Sequence, residues 1–199
     1  MRYLAALALG LGLITSQAMG ATCDPYGAEL DKARAKNLSG DFDAAANIAR
    51  GVTAHYPDDF RARYELGWAL VAQATSSNAS GKYEAGIREL LSAEPLLKKA
   101  DAACVKSKSW YSLYTTLGYY SYMHGDLDNS TKWLNLAQAN FDKLDSEWQR
   151  RTLQYQAVLA FRKGDLEKTK HFSDLAVKAG AQNASELNKA AVTIQGRSR

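Results

Sequence analysis

The chain has 199 residues and a formal net charge of +4, with 46% apolar and 23% charged residues, as is ordinary for one globular domain. The positive charge is small and dispersed, so we expect no nucleic-acid partner, since nucleic-acid binding requires a clustered basic surface. Ala and Leu are abundant, only three prolines occur, and no long run of alternating β-branched residues is present. These features predict an all-α fold.

The first 20 residues have the three-part form of a secretory signal peptide. Met1-Arg2 gives a positive start, residues 3–14 are nearly all apolar, and residues 15–21 are small or polar. The apolar run is about 12 residues long, whereas roughly 20 are needed to cross a bilayer. We therefore expect export, to a bacterial periplasm, with no stable membrane insertion after cleavage.

Two cleavage positions are open, after Ala18 or after Gly20, and removal of Arg2 with residues 1–20 leaves a net charge of +3. An uncleaved anchor is one alternative. A lipoprotein is another, although no leucine stands three residues before Cys23.

Cys23 and Cys104 are the only cysteines, and an oxidising compartment favours a disulfide between them. Closing a loop of about 80 residues stabilises by roughly 4 kcal/mol in the chain-entropy model. The alternative is two unpaired thiols.

A turn of the form Gly-Asp recurs along the chain, at Gly40-Asp41, Gly125-Asp126 and Gly164-Asp165, with a degenerate copy at Gly81-Lys82. Glycine suits the end of a helix, and aspartate suits the start of the next one. The glycines are 41, 44 and 39 residues apart, which predicts a helical hairpin about every 40 residues. Such hairpins bury their apolar faces only by stacking on neighbours, so we expect an α-solenoid of about four antiparallel hairpins.

The first predicted hairpin joins helices over residues 28–38 and 42–55, and the second begins at Phe60. In the second, the polar stretch 73–80 predicts an inserted loop, which either contacts a partner or is a slack surface connection. A helix end is expected near Pro95, followed by a short helix or turn over residues 96–105.

The third hairpin is predicted over residues 108–143 and the fourth over residues 146–179. Gly118 and Ser130 are small enough to let the two helices of the third hairpin approach closely. A last helix over residues 185–194 would cover the end of the stack, and residues 195–199 are expected to be disordered. The domains are thus a signal peptide (1–20), a repeat domain (21–182), and a capping helix with a tail (183–199).

Further residues recur at the same place in each unit. The first unit has a small residue at Ala45 and a closing proline at Pro57, and the second unit has the Leu-Gly pair Leu66-Gly67 in the same register. The later units carry Leu117-Gly118, Ser130 and Leu134, and then Gln156-Ala157 and Ala176. Over roughly residues 26–179 this pattern resembles the tetratricopeptide repeat (TPR), a helix–turn–helix unit of about 34 residues. The chain departs from that pattern in the insertion of unit two, in the missing closing prolines of units three and four, and in small positions filled by Gly86 and Thr169.

The resemblance implies that the first helices of successive units line a concave groove that holds a peptide or an extended protein segment. Arginine and aromatic side chains suit such recognition. The family's clamp for a terminal carboxylate is not reproduced, so only the groove is carried over. By register the groove residues are Arg34, Asn37, Arg61, Tyr64, Trp68, Tyr119, Tyr122, Arg151, Gln154 and Arg162. Each of these has the alternative of a solvated arginine or a half-buried tyrosine, and four other aromatic residues are assigned to core packing: Trp110, Tyr111, Tyr114 and Trp133.

No catalytic constellation is evident. The three histidines, His55, His124 and His171, lie in different repeats without metal-ligand spacing. The Gly-Asp turns lie between helices and not after a strand, so they predict no phosphate-binding loop. We expect no enzyme activity, no metal and no cofactor.

The sequence therefore predicts a protein-binding scaffold or adaptor of the bacterial envelope. A carbohydrate- or peptidoglycan-binding module is a second hypothesis, with Tyr64, Trp68, Tyr119 and Tyr122 as stacking platforms. Self-association through end-to-end stacking is a third.

The cysteine pairing is tested by thiol labelling of the exported protein under denaturing conditions. We expect no reactive thiol before reduction and two after it, because the disulfide would join the only two cysteines. Two reactive thiols without reductant would contradict the pairing.

Overall fold

The computed structural model describes residues 27–77, 80–101, 108–181, 184, 185 and 189. Within these residues the chain is all-helical and has no strand, which confirms the all-α part of the predicted fold. The predicted signal peptide, both cysteines and most of the predicted capping helix lie outside the described residues. The helices are α1 (Gly27–Ser39), α2 (Phe42–His55), α3 (Phe60–Ser77), α4 (Ser80–Asp101), α5 (Ser112–Met123), α6 (Leu127–Ala139), α7 (Ser146–Arg162) and α8 (Leu166–Lys178), with 3-10 helices at Lys108–Tyr111 and Phe141–Lys143.

Three of the connections are Gly-Asp turns, as the sequence predicts. Their glycines have φ angles that L side chains rarely adopt, +81° at Gly40, +85° at Gly125 and +77° at Gly164. The aspartate that follows each glycine accepts a backbone N–H in the first turn of the next helix, at N···O distances of 3.0–3.3 Å. Each pair therefore ends one helix and caps the next.

The predicted loop over residues 73–80 is wrong where the structure describes it, because α3 continues to Ser77 and α4 begins at Ser80. The small polar residues fit into the helix since their hydroxyls bond to preceding carbonyls: Thr75 to Val71 at 2.9 Å and Ser76 to Gln73 at 3.0 Å.

The insertion also preserves the packing between α3 and α4. Gly67 faces Leu90, 23 residues later, whereas Gly118 faces Leu134, 16 residues later. The difference of seven residues is about two helical turns. The hairpin therefore becomes longer without rotating its contact face.

The predicted helix end near Pro95 is also wrong, because α4 runs through this proline to Asp101. An interior proline costs about 3 kcal/mol since it lacks an N–H and its ring meets the preceding turn. Pro95 is exposed, whereas Ala93 and Leu97 on either side of it are 0% and 1% exposed. Burial of this face against the core offsets the cost.

Glycine permits a very close approach of the paired helices. A Cβ on Gly67 would lie 2.7 Å from Leu90 Cγ and 2.9 Å from the carbonyl oxygen of Gly86. A Cβ on Gly118 would lie 2.6 Å from Leu134 Cγ, which confirms the predicted close approach in the third hairpin. Real Cβ atoms essentially never come this near to another heavy atom.

The odd-numbered helices lie side by side. α1 packs on α2 and α3, α3 packs on α4 and α5, and α5 packs on α6 and α7. The largest core cluster extends from α3 to α7 and contains most of the buried aromatic side chains. In the described part of the chain, no helix is long and apolar enough to span a bilayer.

We predict that Gly67→Ala lowers the free energy of unfolding by about 1–3 kcal/mol, because the new methyl group meets backbone atoms of α4. Gly51→Ala in α2 is the matched control, since a Cβ there meets nothing within 4 Å and should stabilise by about 0.5–1 kcal/mol. Urea denaturation measures both. Equal stability of the two variants would show that the helices are farther apart.

Candidate functional site

Aromatic rings from α3, α7 and the 3-10 helix before α5 form a row where these elements face one another, which we call the inner face of the odd-numbered helices. Trp110 lies 5.7 Å from Tyr64, Tyr64 lies 6.0 Å from Trp68, and Trp68 lies 5.8 Å from Trp148, measured between ring centroids. Phe60 also meets Trp110 edge to face, at 5.5 Å. Edge-to-face pairs contribute about 0.5–1.5 kcal/mol beyond the area they bury. We call these five residues the aromatic row, and it joins α3 to α7.

The sequence of α3 produces much of this row. Phe60, Tyr64 and Trp68 are four residues apart and so share one face of the helix. Trp148 follows Asp145, whose carboxylate accepts the Trp148 N–H at 3.0 Å and fixes the start of α7. Local capping and helical spacing therefore place rings from two helices opposite each other.

Three of the predicted groove residues are buried. Tyr64 is 1% exposed, Trp68 is 7% exposed and Asn37 is 3% exposed. The Tyr64 hydroxyl lies 2.8 Å from the Ser112 hydroxyl and 3.3 Å from that of Thr116, and burial raises the Tyr64 pKa to about 12. These side chains belong to the core, and a partner at the surface would not touch them.

Arg34 lies at one end of the aromatic row, with its guanidinium carbon 5.3 Å from the centroid of Trp110. Arg34 and Trp110 are both half-buried. Among the described residues, no carboxylate oxygen lies within ion-pair distance of Arg34. The predicted groove residue Arg34 is thus at the surface, supported by an aromatic ring.

Arg151 lies at the other end, 5.2 Å from the centroid of Trp148. Its Nε donates to Glu147 Oε1 at 2.7 Å, and this hydrogen bond is the main cause that lowers the pKa of Glu147. Beside it, Tyr155 stacks on Tyr119 with centroids 4.5 Å apart, and burial raises the Tyr155 pKa. The structure therefore brings the predicted residues Arg151 and Tyr119 into one neighbourhood.

A surface pocket of about 500 Å³ opens next to Arg151. Glu147 bonds to both Arg150 and Arg151, so the pocket has one more cation than carboxylate. Gln154, another predicted groove residue, is half-buried there. The lining residues are Glu147, Arg150, Arg151, Gln154, Tyr155, Gly180 and Ala181.

The three remaining predicted groove residues differ in their burial and contacts. Arg61 forms an ion pair with Asp59 at 2.7 Å, and both side chains are 11% exposed, so it organises the start of α3. Tyr122 is half-buried near the end of α5, and Arg162 is exposed at the end of α7.

Sequence reasoning missed Trp148, Tyr155 and Glu147, which surround Arg151. Their spacing could have predicted this cluster, since positions 147, 148, 151 and 155 share one face of α7. The predicted core packing of Trp110 is confirmed, because this half-buried ring packs on the core cluster and meets Phe60 and Tyr64 edge to face. The core assignments of Tyr111, Tyr114 and Trp133 are confirmed, because all three are buried.

No group of three His, Cys, Asp or Glu side chains that could hold a metal ion occurs within residues 27–77, 80–101 and 108–181. The expected absence of a metal or cofactor remains a prediction from the sequence.

Comparison of the chain with models of protein families, with curated proteins and with solved structures gives no significant match. The resemblance to the TPR therefore rests on the residues of the repeat itself.

We predict that Tyr64→Phe lowers the free energy of unfolding by about 1–2 kcal/mol, because it removes the hydroxyl shared with Ser112 and Thr116 inside the core. Tyr122→Phe is the matched control at a half-buried tyrosine and should change stability by less than about 0.5 kcal/mol. Thermal or urea denaturation distinguishes them. A stability loss confined to Tyr122→Phe would contradict the burial of Tyr64.

Proposed function

We propose that this chain is an exported, non-catalytic scaffold whose helices form a TPR-type solenoid and hold an acidic segment of another protein. The binding surface is the rim of the aromatic row on the odd-numbered helices. Export to a bacterial periplasm rests on the pattern of residues 1–20, and the absence of enzyme activity rests on the lack of a catalytic motif in the sequence.

Two features support the solenoid. The Gly-Asp turns at Gly40, Gly125 and Gly164 have the same glycine conformation and the same aspartate cap, whereas the predicted degenerate copy at Gly81 lies inside α4. In addition, α1, α3, α5 and α7 follow one another in contact, as the first helices of stacked hairpins would.

The observation that carries the binding proposal is the pair of arginines at the two ends of the aromatic row. Arg34 lies over Trp110 and Arg151 lies over Trp148. A guanidinium held against a ring is pre-organised for binding a carboxylate. Arg151 already uses its Nε to bind Glu147, so only its remaining N–H donors are available to a partner. Among the described residues, no carboxylate lies at ion-pair distance from Arg34. A carboxylate of the bound protein would therefore form an ion pair with it.

The contact residues we propose are the half-buried ones on this rim: Arg34, Tyr119, Tyr122, Arg151 and Gln154. Half-buried aromatic and arginine side chains are what protein interfaces favour, because they supply area at low entropic cost. Asn37, Tyr64 and Trp68 lie beneath this surface and support it.

The other two hypotheses gain no support. The sugar-binding hypothesis relied on Tyr64 and Trp68 as open platforms, and their rings are 1% and 7% exposed. The Tyr119 ring is stacked on Tyr155. We therefore do not propose a carbohydrate module, and self-association stays a prediction from the sequence.

The proposal is tested by photocrosslinking in cells from residues 122 and 154, both on odd-numbered helices. Positions 88 and 138, which are exposed on α4 and α6, are the matched controls. We expect one dominant protein to be crosslinked from the odd helices and not from the even ones. Equal crosslinking from both faces, or none from residues 122 and 154, would contradict the proposed surface.

With that partner identified, we predict that Arg34→Ala and Arg151→Ala each weaken binding about tenfold or more, since a charged hydrogen bond contributes about 1.5–3 kcal/mol. Arg88→Ala should leave the affinity unchanged, because Arg88 is exposed on α4. Calorimetric titration at two salt concentrations measures both effects. If all three variants bind equally, the arginines do not recognise the partner.

A further inference from the structure

A carboxyl group is buried between α1 and α3. Glu65 of α3 is 0% exposed and Asn37 of α1 is 3% exposed. The Asn37 Nδ2 donates to Glu65 Oε2 at 2.8 Å and to the backbone carbonyl of Glu65 at 3.0 Å. Both donors of the amide are therefore directed at one residue of α3.

The same two side chains contain two buried oxygen atoms without a hydrogen-bond partner in the described structure, Glu65 Oε1 and Asn37 Oδ1. If Glu65 is ionised, both are acceptors only, and neither satisfies the other. A proton on the carboxyl group would supply a donor that the ionised pair lacks.

The charges around Glu65 do not compensate for its burial. From α1, Arg34 acts on it from beyond ion-pair distance, and Asp31 opposes that attraction. The hydroxyl of the neighbouring Tyr64 is hydrogen-bonded to Ser112 and Thr116 of α5. Burial is the largest effect, ahead of Arg34 and of the Asn37 hydrogen bond, and it raises the pKa of Glu65 to about 7.

Charged groups on the other elements packed against α3 have partners elsewhere. Asp43 of α2 accepts from Gln73, about two turns farther along α3. Glu89 of α4 pairs with Arg63 at 3.0 Å. Neither is among the groups that act on Glu65.

We propose that Glu65 is protonated in the folded protein and closes an acid–amide pair with Asn37, which makes the attachment of α1 to α3 sensitive to pH. Ionisation leaves a buried carboxylate facing the Asn37 carbonyl, so the first helix pair is held less firmly above neutral pH. This inference concerns the stability of the stack and does not rest on the proposed binding function.

The direction of the pH effect follows from proton linkage. The pKa of Glu65 is about 7 in the folded state and 4.5 ordinarily, so the folded state keeps a proton that the unfolded state has lost. The stabilisation is complete below the unfolded value and is lost as the pH rises through the folded value. Between these values the unfolding constant rises by at most about tenfold per pH unit.

The test is Glu65→Gln, because glutamine has the shape of the protonated acid and donates permanently to Asn37 Oδ1. Urea denaturation of the protein at about pH 5 and about pH 8 gives the unfolding constants of both forms. We expect the ratio of the wild-type constant to the variant constant to increase by about tenfold or more from the lower to the higher pH. Other titrating groups cancel in this ratio.

Glu89→Gln on α4 is the matched control, since Glu89 is half-buried and paired with Arg63. It should not reproduce the increase. A ratio for Glu65→Gln that is constant with pH, or that falls, would overturn the proposal. Infrared spectroscopy is an independent measurement: at about pH 6 the wild type should show a protonated carboxyl band that Glu65→Gln lacks, and its absence would also overturn the proposal.

Discussion

The contact between Trp68 of α3 and Trp148 of α7 determines whether the inner face of the odd-numbered helices is filled or open. These helices belong to different hairpins, yet their rings meet edge to face at 5.8 Å. With Tyr64 beside them, the rings fill the space that an open groove would leave to a peptide. The aromatic row is therefore part of the core, and our proposal assigns partner recognition to the half-buried side chains at its rim, Arg34 and Arg151 among them.

Polar groups inside the stack determine how the helices align. The hydroxyls of Thr115 on α5 and Thr152 on α7 lie 2.7 Å apart, fully buried. Gln156 donates to the Leu134 carbonyl of α6 at 3.3 Å. Buried polar groups are costly unless they are paired, so such bonds favour one alignment of neighbouring helices. The Asn37–Glu65 contact is the one that contains an ionisable group, and our proposal makes its strength depend on the protonation of Glu65.

The repeat and its turns could be predicted from the sequence because they depend on local chemistry. Glycine with positive φ followed by a capping aspartate marks the turns between α1 and α2, between α5 and α6, and between α7 and α8, and α2 has the predicted bounds, Phe42–His55. The predictions of a loop over 73–80 and of a helix end at Pro95 were wrong. The packing of α3 on α4 outweighs the low helix propensity of the residues there.

The burial of the predicted groove residues could not be read from the sequence either. Periodicity shows that Tyr64 and Trp68 share a helix face, but not what lies opposite that face. Only the distance between α3 and α7 decides whether the face is open. The register taken from the repeat pattern assigns both the arginines and the rings to one groove, whereas Arg34 and Arg151 are half-buried and the rings of Tyr64 and Trp68 are buried.

The central claim is that Trp68 and Trp148 close the inner face by direct contact. The most direct measurement is a double-mutant cycle with Trp68→Leu, Trp148→Leu and the double variant, each unfolded in urea. We expect a coupling free energy of about 0.5–1.5 kcal/mol, the range for aromatic pairs in contact. Strictly additive losses would show that the rings do not touch, and the inner face would then be an open groove.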